Sequence, residues 1–108
     1  MTPGPVLWTD TAIEDLGAII EHIAADDPAT ALAVLDRVQT RAATLASLTS
    51  RGRIVPELRE IGITHYRELV ERPWRLLYRI ESGTALVVGA LDGRRELQTL
   101  LLERLTRP

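Results

Sequence analysis

From Arg72-Pro73 to Asp92-Gly93 the chain allows little besides an antiparallel meander. Trp74, Leu76, Tyr78 and Ile80 alternate with Arg75, Leu77, Arg79 and Glu81, the two-residue period of a strand with one apolar and one polar face. Pro73 biases the residue before it toward extended geometry and marks a turn. Ser82-Gly83 is a hairpin signal. Ala85 to Leu91 is almost wholly apolar, as a central strand is, and Asp92-Gly93 ends it. Upstream, His65 to Val70 fits one more strand. Three strands in succession, joined by tight turns, need a cover for their apolar face.

The first half supplies that cover. After an irregular start over residues 1–5, Val6-Leu7-Trp8 reads as a short strand. Thr9, Asp10 and Thr11 offer helix-capping side chains, Thr11 with Glu14 fits a capping box, and Ile13, Leu16, Ile20 and Ile23 then form one apolar helical stripe. Asp26-Asp27-Pro28 stops this helix and starts the next, with Asp27 as cap and Pro28 at the first helical position. Ala31, Leu35, Val38, Ala42, Leu45 and Leu48 make the second stripe, predicting a helix over residues 28–48. The short link implies an antiparallel helical hairpin, and its two stripes together exceed what they can bury in each other, so a sheet must pack on them. Ser50 to Thr64, with Gly52, Pro56 and Gly62, is too broken for a long element. Arg94 to Leu105 reads as a last helix or a partly ordered tail, and 106–108 as the chain's end. The expected order is β-α-α-β-β-β-α in one α+β domain of 108 residues.

Charge is divided unevenly. Residues 1–50 carry seven acids against two arginines, and residues 51–108 carry eleven arginines against eight acids, so a net −5 precedes a net +3. All thirteen basic residues are arginine, so no lysine-type general base exists, while planar forks for phosphate or carboxylate abound. Arginines near Glu57, Glu60, Glu68, Glu71 and Glu81 also have a plainer use as surface ion pairs. Cysteine is absent, which excludes disulfides and thiolate metal sites. Two isolated histidines and scattered carboxylates lack metal-ligand spacing, and no phosphate-cradling glycine loop is present, so no metal or cofactor is expected. No apolar run approaches the roughly 20 residues of a membrane span, and no leader is evident, so the cytoplasm is the expected compartment.

Five strings, taken in order, carry a resemblance. Trp8-Thr9-Asp10-Thr11-Ala12-Ile13-Glu14-Asp15-Leu16 looks like an opening strand and capped first helix of the RelE/ParE toxin superfamily. Gly52 to Leu58 looks like the loop after its helical hairpin. Tyr66-Arg67-Glu68-Leu69, Trp74 to Arg79 and Asp92-Gly93-Arg94-Arg95 match its three strands and their ends. The chain resembles the ParE-type (plasmid stabilisation) branch most closely, over about residues 6–105. That resemblance implies a bacterial toxin of a type II toxin–antitoxin pair, neutralised by a cognate antitoxin of ribbon-helix-helix type with a disordered C-terminal segment. ParE-type members poison DNA gyrase as inhibitors; RelE-type members cut messenger RNA on the ribosome.

Under the ribonuclease reading, Arg67, Arg75 and Arg95 would grip phosphate and His65 would serve as acid–base group. Leu69 stands where a second basic residue is expected and no tyrosine or histidine follows Arg95, which favours the gyrase reading. Target-binding candidates are then Arg75, Arg79, Arg94 and Arg95. Arg75→Ala is expected to abolish toxicity while sparing folding. Leu97, Leu101 and Leu105 form the expected antitoxin-binding surface, since the leucines there exceed what one small domain buries. Trp74 and Tyr78 are ordinary core aromatics, and His22 is surface filler. A non-toxic module whose arginine face binds an acidic peptide is the other class of reading, and the neighbouring gene discriminates: a short frame with a ribbon-helix-helix start supports the toxin.

Overall fold

The computed structural model describes residues 5–93 together with Glu103 and Arg104. Its elements are β1 (Leu7–Trp8), α1 (Asp10–Ala24), α2 (Pro28–Ala43), β2 (Arg53–Ile54), α3 (Pro56–Arg59), β3 (Arg67–Glu71), β4 (Trp74–Glu81) and β5 (Thr84–Asp92). The architecture is α+β: the α1–α2 hairpin packs on a five-stranded sheet of order β1-β5-β4-β3-β2. β1 runs parallel to β5, and every other pairing is antiparallel.

Local chemistry explains most boundaries. The Asp27 carboxylate accepts the Ala29 and Thr30 amides at 3.1 and 3.3 Å, and Pro28 occupies the first turn of α2 as expected. Of the capping side chains at Thr9, Asp10 and Thr11, it is Thr9 that caps α1, accepting the Ala12 amide at 3.1 Å, and not the Thr11–Glu14 box; the Thr9 amide is itself held at 3.0 Å by the Val87 carbonyl where β1 leaves the sheet. α2 ends at Ala43 rather than near Leu48, passing into single 3-10 turns at Thr44–Ala46 and Thr49–Arg51. Ser82 and Gly83 both take positive φ (49° and 78°), the two-residue turn that matches strand twist.

The Ser50–Thr64 connection holds two short elements that sequence periodicity does not reveal, β2 and α3. They matter because they cover the second face of the sheet. Instead of one core there are two. Against the helical hairpin lie Leu69, Leu76, Tyr78, Ala85, Val87 and Ala90 with Ala12, Leu16, Val34, Val38, Ala42 and Leu45. On the opposite face, Val55, Leu58, Tyr66, Leu77 and Leu91 form a smaller core. Leu77, a lone apolar residue on the polar face of β4, belongs there.

A bulge adjusts β5 to both cores. Leu77 stands opposite Gly89 and Tyr78 opposite Val87, so Val88 is the extra residue. Hairpin-facing positions therefore run Ala85, Val87, Ala90, while Val88 and Leu91 turn to the other face. Beyond the end of β1, the Ala90 amide is taken by Asp15 of α1 at 3.1 Å, and the same carboxylate receives Arg104 at 2.8 and 3.1 Å. No helix among the described residues is long and apolar enough to cross a membrane, and no cluster of three or more His, Cys, Asp or Glu there is placed to hold a metal.

Candidate functional site

On the second face, Arg75 sits at the centre of an ionic cluster. Its Nε donates to Glu68 at 2.6 Å, and its terminal nitrogens bind the Glu57 carboxylate at 2.6 and 2.8 Å in bidentate fashion. Glu68 receives a second guanidinium from Arg53, at 2.7 Å. The Glu68 side chain is fully buried (0% exposed) and that of Arg75 nearly so (11%). Burial pulls the Arg75 guanidinium down, but the Glu57 and Glu68 hydrogen bonds outweigh it and its pKa rises. The cluster ties β2, α3, β3 and β4 together. Arg75 is thus a structural cation whose donors are already engaged, and the expectation that its removal spares folding needs revision.

Acid titration follows from the same contacts. The Arg75 hydrogen bond holds the Glu57 carboxyl below its ordinary 4.5, against the opposing effect of burial. The hydrogen bonds from Thr30 hold Asp27 below 3.8. A carboxyl depressed in the folded state takes up its proton first in the unfolded chain. Its contribution is complete above the ordinary value and is lost as pH falls through the folded one. The urea midpoint is expected to hold steady down to about pH 5 and fall below it, with Glu57→Gln flattening part of the acid limb. Identical acid limbs for Glu57→Gln and the parent would remove Glu57 from this account.

Arg79 is the more accessible arginine of β4, with 37% of its side chain exposed and its Nε on Glu81 at 2.7 Å. The Tyr66 hydroxyl, first, and then the Glu81 charge raise its pKa. Arg67 lies opposite Tyr78, whereas Arg75 lies opposite Val70, so the register puts Arg67 and Arg75 on opposite faces of the sheet. Arg67 donates to the Gly52 carbonyl at 2.7 Å on the hairpin side. His65 is exposed and tilts against Tyr66 with ring centroids 4.5 Å apart. The structure thus does not bring Arg67 and Arg75 together. Arg94, Arg95, Leu97, Leu101 and Leu105 lie outside the described residues.

Between β1 and the helical hairpin an apolar groove of about 840 Å³ is open, lined by Trp8, Ile13, Leu16, Ile20 and Leu35, with Glu21 and Gln39 at polar positions. Its existence corrects the stripes read from sequence. Ile13 is 56% exposed and Leu48 47%, while Ala12 and Val34, absent from those stripes, are buried. Gly17, Ala42, Ala43 and Ala46 line the same groove. Small residues at helical spacing beside unspent isoleucine and leucine were the available signal.

Comparison with known proteins agrees with this geometry. A solved structure described as the chromosomal ParDE TA system from P. aeruginosa has the same fold, with a TM-score of 0.67 at 22% identity over 81% of this chain and 92% of that chain. No curated protein sequence matches significantly. The family model of the ParE toxin of type II toxin–antitoxin system, parDE, matches residues 6–97. The chain, with its helical hairpin on a β1-β5-β4-β3-β2 sheet, therefore belongs to the ParE toxin family.

Proposed function

We propose that this toxin inhibits DNA gyrase in the bacterial cytoplasm and that a cognate antitoxin silences it. The observation that carries the inhibitor reading is the placement of Arg67 and Arg75 on opposite faces of the sheet. A ribonuclease needs its cationic and acid–base groups converged on one scissile phosphate, within hydrogen-bond reach of the reacting atoms. Here one arginine holds a backbone carbonyl through one terminal nitrogen and the other holds two carboxylates. An inhibitor needs only a complementary surface. Arg79, 37% exposed near the end of β4, is the described member of that surface, with Arg94 and Arg95, which lie outside the described residues, as further proposed contacts and Arg75 as the support beneath.

Antitoxin binding is assigned to the apolar groove, with Leu97, Leu101 and Leu105, which lie outside the described residues, as further proposed contacts. An amphipathic helix laid between α1, α2 and β1 would cover Ile13, Ile20 and Leu35, side chains that the fold leaves in contact with water.

Purified gyrase supercoiling, with added toxin free of antitoxin, tests the target. Lost supercoiling with accumulating cleaved DNA is expected. Arg79→Ala should raise the half-inhibitory concentration about tenfold, the ~1.4 kcal/mol of one charge-assisted contact, without moving the urea midpoint. Unchanged supercoiling at molar excess of folded protein would pass the reading to ribosome-dependent cleavage.

A further inference from the structure

We propose that the open edge of β2 is a second binding site, taking an acidic, extended polypeptide segment as an added strand. β2 ends the sheet, with β3 on one side and no strand on the other among the described residues. The Val55 amide donates to the Tyr66 carbonyl at 3.1 Å, and Arg53 stands opposite Glu68. In an antiparallel ladder the intervening residue turns its polar groups the other way, so the Ile54 amide and carbonyl face the open edge. An unpaired strand edge is a template for another chain.

The walls of this edge select the guest by charge. Among the described residues, Arg53, Arg59 and Arg67 line a groove of about 710 Å³ together with Ile54, Pro56 and one carboxylate, Glu60. The three guanidinium groups are not exhausted by the fold. Arg53 uses its Nε on Glu68 and keeps 63% of its side chain exposed; Arg67 uses one terminal nitrogen on Gly52. Arg59 is exposed at the end of α3. Alternate residues of an added strand fall on one face roughly 6.6 Å apart, within the reach of arginine side chains. Carboxylates on the second face would meet the Arg53 and Arg59 guanidinium groups, and the apolar residues between them would lie on the hairpin side beside Ile54, the face that Arg67 shares.

A polypeptide fits better than a nucleic acid. Single-stranded nucleic acids are held by aromatic platforms, and among the described residues no aromatic side chain lines this groove. The proposal is separate from the gyrase reading and survives its failure, because it uses none of the residues assigned there.

Fluorescence anisotropy with the full chain and a labelled, capped eight-residue peptide alternating glutamate and valine tests it. Binding is expected at low salt, weakening as ionic strength rises. Arg59→Glu should weaken it at least tenfold, since that side chain anchors nothing among the described residues, while Arg72→Glu at the exposed β3–β4 turn should leave it within twofold. The same peptide N-methylated at alternate residues should lose binding through the missing ladder bonds. Equal affinity for a lysine–valine peptide, an unchanged Arg59→Glu, undiminished binding of the N-methylated peptide, or displacement by an eight-nucleotide oligothymidylate at lower concentration than the peptide would each overturn the proposal.

Discussion

Gly52→Ala is expected to destabilise the fold by about 3 kcal/mol or more, a change large enough to leave much of a small domain unfolded. A methyl group at this position would fall onto the Glu68 carbonyl oxygen and within 2.7 Å of both the Tyr78 ring and its hydroxyl. None of these can retreat. The Glu68 carbonyl belongs to the β3 ladder, and Tyr78 is fully buried with its hydroxyl fixed by two contacts. It accepts the Gly52 amide at 2.8 Å and donates to the Thr49 carbonyl at 2.7 Å. The Gly52 carbonyl meanwhile takes Arg67. The chain passes through this gap where the segment after α2 enters β2, between the two cores, so displacing it disturbs both. Gly17→Ala should have the opposite sign. Nothing lies within 4 Å of the added carbon, and in mid-helix alanine is favoured by about 1 kcal/mol. Urea midpoints of the two variants check the pair; a Gly52→Ala midpoint within error of the parent would show that the passage is not tight.

Why some of this was readable and some was not comes down to the range of the interactions involved. The limits of β4 follow directly from Pro73, Ser82-Gly83 and the alternation between them, all local signals, and the observed strand is Trp74–Glu81 as expected. Asp27-Pro28 likewise announces α2 through groups three residues apart. By contrast, β2 is two residues long and exists only because Arg53 and Ile54 meet Glu68 and Arg67. α3 is a single turn with Leu58 buried beneath it. Elements that short have no periodicity to detect. Missing them hid the second core, and with it the reason for Glu68 to be buried. In the sequence, Glu68 looks like one more strand-surface acid near several arginines. The pairing of arginines with Glu57, Glu68, Glu71 and Glu81 was legible as chemistry; which pair would be sealed from water was not. The same holds for the apolar groove. A helical stripe says which side chains share a face, and Ile13 and Leu35 do share it, but the two-residue β1 is too short to cover them.

Arg75→Ala is expected to cost about 3–5 kcal/mol, the range for removing one partner from a buried ion pair. The loss is not mainly that of an attraction. Glu68, with no exposed side-chain surface, would keep Arg53 on one oxygen and have the other stripped of its partner, while Glu57 would lose both of its hydrogen bonds. A carboxylate buried without full compensation carries a desolvation penalty that the folded state must absorb. The double variant Glu68→Leu, Arg75→Leu separates this from simple loss of contact. It removes the buried charge along with its partner, in a region where Leu77 and Leu91 already supply apolar neighbours, so it should recover at least half of the single-variant loss. Recovery of nothing would mean that the ion pair itself, rather than the stranded carboxylate, sets the cost. A single-variant midpoint indistinguishable from the parent would return Arg75 to the list of free cations available for a target. The distinction governs how toxicity data on this chain should be interpreted. An inactive Arg75→Ala toxin is expected on grounds of folding alone, whereas an inactive Arg79→Ala toxin with unchanged stability would locate a contact with the target.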